Sequence, residues 1–137
     1  MNRHPYVRAY LAGIAAPTVF LLVAMTSYII LRFVYDFPLP VERLIVFPMA
    51  IVPNVWGLWN IFYVAVLAKR KYPLGIHGDT LALILGPAGF LVARALEFQP
   101  PHFVYSLLPV LIPFALAVYY LVWKHIVGFL NAELGIA

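Results

Sequence analysis

Acid–base or metal chemistry in this chain would have to come from four histidines and five acidic residues, because there is no cysteine to supply a disulfide, a thiolate ligand or a nucleophile. His4, His77 and His125 fall on one side of the apolar runs described below and His102 on the other, without the close spacing of metal ligands. They read as interfacial histidines, and no metal is assigned. The acidic residues Asp36, Glu42, Asp79, Glu97 and Glu133 likewise fall at the ends of apolar runs or between them. A proton relay or a hydrolytic nucleophile works from a sheltered position inside a bundle. No carboxylate is expected there, so proton-coupled antiport and hydrolysis are disfavoured, and no catalytic residue or cofactor is assigned.

The polar stretch that says most runs from Pro48 to Asn60. At about 100° per residue, Ala50, Pro53, Asn54, Gly57 and Asn60 share a third of a helix circumference, with Trp56, Trp59 and Tyr63 alongside. Pro53 contributes no N–H and leaves the Met49 carbonyl without its helical donor, so this face would offer amide and acceptor groups within an apolar run. A second line follows later in the chain: His102, Ser106, Pro109, Pro113, Ala117, Tyr120 and Lys124. Were the two lines to meet, they would enclose a weakly polar groove. Pro53, Asn54, Trp56, Gly57, Asn60, Ser106 and Tyr120 are its candidate ligand-binding or pathway residues. The competing reading is packing, since asparagine and tyrosine in membrane helices commonly bond to neighbouring helices at ~0.6 kcal/mol per interaction.

The elements that carry these residues follow from composition. The 137 residues are 65% hydrophobic and only 10% charged, with a mean hydropathy of +0.96. A soluble domain keeps roughly 25% charged residues at its surface, so this surface faces lipid. About 20 apolar residues span a bilayer core. Runs at 9–31, 44–68 and 103–123 meet that length uncharged, and a shorter run at 80–96 reaches across if Arg94 snorkels to the interface. The expected fold is therefore all-α, a polytopic membrane protein in which a single domain, residues 1–137, forms a four-transmembrane-helix bundle. The first run is too long for the apolar core of a signal peptide and is read as a retained helix. Pro40 and Pro101 would open helices two and four, and Asp79 or Thr80 would cap helix three.

Four spans put both termini and the segment 69–79 on one face. That face carries Arg3, Arg8, Lys69, Arg70, Lys71 and Lys124, against Arg32, Arg43 and Arg94 opposite. The positive-inside rule places the termini in the cytoplasm, in a plasma or inner membrane. Asp36, Glu42 and Glu97 accompany the three opposite arginines as candidate structural ion pairs. The net charge of +4 sits in short flanks beside apolar runs. Anionic lipid headgroups at Lys69, Arg70 and Lys71 are thus the expected partner, and nucleic acid is not.

Helix three carries a line of small residues, Ala82, Gly86, Gly89 and Ala93, of the kind that lets helix backbones approach closely in lipid. Ala9, Ala12, Gly13 and Ala16 form a similar line on helix one. The two turns opposite the termini also resemble each other. Asp36-Phe37-Pro38-Leu39-Pro40 aligns with Glu97-Phe98-Gln99-Pro100-Pro101, and the same register places Pro48 on Pro109. This is the pattern of two parallel helical-hairpin repeats, although short proline-rich turns also converge readily. The functional expectation is a small non-enzymatic membrane protein that binds or conducts a small solute or lipid-like molecule, as a homo-oligomer. The alternatives are an accessory or structural subunit of a larger membrane complex and, further back, a membrane enzyme or haem protein.

Overall fold

A computed structural model describes residues 3–38, 45–97 and 99–136, the side chains of 45–47 excepted. Among the described residues every regular element is helical. Four helices are long and apolar enough to cross a membrane: α1 (Pro5–Val34), α2 (Pro48–Arg70), α3 (Leu74–Ala95) and α4 (His102–Glu133). Helix α1 packs along α2, and α3 along α4, so the chain is two helical hairpins joined through Lys71, Tyr72 and Pro73.

Two boundaries differ from the sequence expectation. Helix α3 begins at Leu74 rather than at residue 80, with Pro73 at its N-cap position, so Asp79 and Thr80 lie inside the helix. The Thr80 hydroxyl donates back to the Ile76 carbonyl at 3.0 Å instead of capping. The segment 69–79, expected between two spans, contains Gly75 and Gly78, and each accepts a large ring from α4. A Cβ at Gly75 would lie 2.5 Å from the Tyr120 ring, and one at Gly78 would overlap Trp123. Helix α4, in turn, does not stop at residue 123 but continues to Glu133.

The extension of α4 has a local cause. Trp123, Val127 and Asn131 are all fully buried and are spaced four apart. In a straight α-helix such a row drifts by about 40° per step. The stretch Val122–Val127 is π-helical, and its wider turns offset part of that drift, which keeps the three side chains on one line. A second π-helical stretch, Tyr63–Leu67, ends α2 together with a 3-10 turn through Arg70. A third, Ile45–Ile51, contains Pro48, which cannot donate to the ladder.

The two turns opposite the termini end their helices alike. Tyr35 and Leu96 close α1 and α3, and the following Asp36 and Glu97 adopt the left-handed region at φ 53° and 57°. In the ungapped register that aligns those turns, the π-helical stretch Tyr63–Leu67 overlaps Val122–Val127, whereas Ile45–Ile51 falls on the α-helical residues 106–112. Pro40, Glu42, Arg43 and Phe98, which entered the expected helix start, ion pairing and repeat, lie outside the described residues.

Candidate functional site

The core lies in the half of the bundle that carries the termini. There Ala9, Ala12 and Gly13 of α1 meet α2 closely: a Cβ on Gly13 would sit 2.6 Å from the Trp56 carbonyl oxygen and 2.8 Å from the Gly57 Cα. Opposite, Gly57 accepts the Tyr10 ring and Ile14. Small residues thus bring the α1 and α2 backbones together, and Asn60 reaches the Ala9 carbonyl at 2.7 Å.

Asn60 also joins the two hairpins. Its Nδ2 donates to Asn131 Oδ1 at 2.8 Å, and Asn131 Nδ2 donates to Asn60 Oδ1 at 3.1 Å. Both residues are buried. In a low-dielectric interior such a reciprocal amide pair satisfies donors and acceptors that would otherwise be stranded. A second reciprocal pair lies nearby. The Trp59 indole donates to the His77 carbonyl at 2.9 Å, while His77 Nε2 lies 2.9 Å from the Trp59 carbonyl. A carbonyl accepts only, so Nε2 carries the proton. The two rings stack with centroids 4.8 Å apart, and Trp123 meets His77 edge-on at 5.5 Å. Tyr63 packs on the same imidazole and donates to the Tyr72 carbonyl at 2.9 Å, which fixes the connection between hairpins. At the end of the bundle Arg8 donates to the Leu134 carbonyl at 3.2 Å, so this base ties the termini together.

The other half is built differently. Between His102 and Leu121 no residue of α4 is buried. An apolar cleft of about 770 Å³ opens between α1 and α4 at the inner part of this unburied stretch and continues past Val122 and Ile126 to Leu130, alongside the latched core. Its walls are α1, through Ala15, Pro17 and Phe20, and α4, through Phe114 and Val118; Trp56 of α2 closes its base. Trp56 meets both Tyr119 and Trp123 in tilted ring contacts with centroids 5.0 Å apart, so the cleft floor is continuous with the buried core.

The candidate residues do not converge on one groove. Asn60 is engaged in the core, while Asn54 is exposed, accepts from the Tyr10 hydroxyl and donates to the Ala50 carbonyl at 2.5 Å. Ser106 lies near the opposite end of α4 and bonds the Phe103 carbonyl at 2.7 Å. Tyr120 packs on Gly75 beneath the Lys124 ammonium. Pro53, Trp56 and Gly57 are buried in the helix contacts, and only Trp56 among the candidates lines the cleft. On α3, Gly86 faces open space, with nothing within 4 Å of an added Cβ, and Ala82, Gly89 and Ala93 are half-buried.

No family model, curated protein or solved structure matches this chain.

Among the described residues no three histidines or carboxylates gather as metal ligands. His77 belongs to the core rather than to an interface. Asp79 is half-buried within α3, and among the described residues its Oδ1 and the Trp123 indole nitrogen are shielded without a hydrogen-bond partner. His77 and Asn131, which organise this half, were absent from the sequence-based site. The available signal was their spacing: Trp123, Val127 and Asn131 repeat every four residues, and Gly75 and Gly78 flank His77.

Proposed function

We propose that the chain is a non-enzymatic membrane protein that holds an elongated, lipid-like apolar molecule in the cleft between α1 and α4. The observation that carries this reading is the cleft itself: about 770 Å³, walled by aliphatic and aromatic side chains and floored by Trp56. From Phe114 to Leu130 its α4 wall runs ~24 Å, longer than one ~15 Å leaflet of hydrocarbon. That shape suits one extended chain better than a compact polar solute. The candidate amides also favour this over solute conduction, because Asn60 and Asn54 already spend their bonding groups within the protein.

Lys69, Arg70 and Lys71 are exposed at the end of α2 and serve as the contact for anionic headgroups. The same basic excess orients that face and both termini to the cytoplasm of a plasma or inner membrane. The matching left-handed turns and overlapping π-helical stretches favour an origin by duplication of one hairpin. A second reading, an accessory subunit or homo-oligomer, draws on the long unburied stretch of α4 and on the open small-residue line around Gly86.

Filling the cleft tests the lipid reading. In Ala15→Phe and Ala115→Phe, co-purifying lipid measured by native mass spectrometry should fall severalfold while melting temperature holds. Unchanged lipid retention in both variants defeats it.

A further inference from the structure

A second cavity, of about 820 Å³, lies at the turn between α3 and α4, away from the cleft. Its lining brings together Arg94 and Glu97 with Gln99, His102 and Tyr105, above Phe90 and Ala93. We propose that it binds the zwitterionic headgroup of a membrane phospholipid, a phosphate joined to a primary ammonium. This inference is independent of the cleft and requires only that the four helices span the membrane.

Depth is the first argument. Helix α3 has 22 residues, about 33 Å of helix against a hydrocarbon core of about 30 Å. Arg94, one residue from its end, therefore stands at headgroup level. Chemistry is the second. The planar guanidinium of Arg94 matches two phosphate oxygens, and His102 supplies a further donor from the first residue of α4. The Glu97 carboxylate suits an ammonium, and the neighbouring Tyr105 ring, 6.4 Å from that of His102, offers the same cation an aromatic face. Below these polar groups Phe90 and Ala93 meet the first methylenes of the lipid tails, which a free solute lacks.

Backbone geometry makes the carboxylate testable. Glu97 holds φ 57° at a helix C-terminus, a position that favours glycine or asparagine, so a glycine there removes the side chain without straining the turn.

The test uses a phosphatidylethanolamine carrying a diazirine at the start of one acyl chain, irradiated with the purified chain in detergent. Adducts should map to residues 90–105. At that peptide, unlabelled phosphatidylethanolamine should compete about tenfold better than phosphatidylglycerol, as one charge-assisted hydrogen bond implies. Glu97→Gln should abolish the preference, and Glu97→Gly, which suits the turn, should do the same without loss of melting temperature. Arg94→Gln should weaken both competitors. Equal competition by the two lipids in the parent chain, or a preference surviving in both Glu97 variants, overturns the assignment. Soluble phosphoethanolamine competing as well as the lipid would replace the lipid with a free solute and overturn it too.

Discussion

At the end that carries the termini, the hairpins are held by groups that lipid cannot satisfy: the Asn60–Asn131 amides, the Trp59–His77 pair and the Arg8–Leu134 bond. At the opposite end, α1 hydroxyls turn inward on their own helix, Thr26 to the Leu22 carbonyl and Ser27 to that of Val23, and nothing polar crosses to α4 among the described residues. The contrast shows where helix association comes from in a membrane. Lipid tails are as apolar as leucine, so an aliphatic face gains little by leaving lipid for another helix. Close backbone approach and satisfied polar groups gain more. The bundle is closed where a glycine meets a facing backbone or ring and where amides pair, and it opens between α1 and α4, where neither occurs.

The sharpest way to break that comparison is at Gly78, where any Cβ overlaps the Trp123 ring. Gly78→Leu should cost about 3 kcal/mol or more through overpacking, seen as a collapse of melting temperature in detergent. Asn60→Leu comes next, because it strands the buried Asn131 amide. A loss of about 2 kcal/mol is expected, partly recovered in the Asn60→Leu/Asn131→Leu double variant, and a double-mutant cycle reads the coupling. Arg8→Ala should loosen the C-terminal turn by about 1 kcal/mol, visible as faster amide exchange at residues 130–136. Gly86→Leu is the smallest: with no neighbour to displace, it should shift the stability of the monomer by less than about 0.5 kcal/mol. A large loss of oligomer in that variant would instead assign the open line to contacts between copies.

Much of the fold was legible in the sequence, since four apolar runs of spanning length leave few alternatives and the Ala9–Gly13 line correctly marked a close helix contact. What escaped was the pairing of polar groups. Lys124 and His125 marked the end of a span, but a helix does not have to stop where the apolar run does, and the continuation to Glu133 supplies Asn131 as the partner of Asn60. Gly75 and Gly78 lay in the segment 69–79 expected between two spans. Their role depends on Tyr120 and Trp123, more than forty residues away, which no local pattern contains. The polar face of α2 was visible for the same reason that its purpose was not: periodicity identifies the face, and only the tertiary partner decides whether it binds the chain itself or something else.

The division between the latched contacts and the open α1–α4 cleft is tested most directly by electron paramagnetic resonance distances, because the absence of cysteine makes any introduced label unique. One label pair, Leu11→Cys with Phe129→Cys, reports on exposed positions of the latched half; the other, Phe20→Cys with Phe114→Cys, spans the cleft. The latched pair should give a single narrow distance. The cleft pair should give a broader distribution that narrows when Ala115→Phe fills the space. Equally narrow distributions for both pairs, unaffected by that substitution, would contradict a bundle that is tied by polar groups near the termini and open to an apolar ligand between α1 and α4.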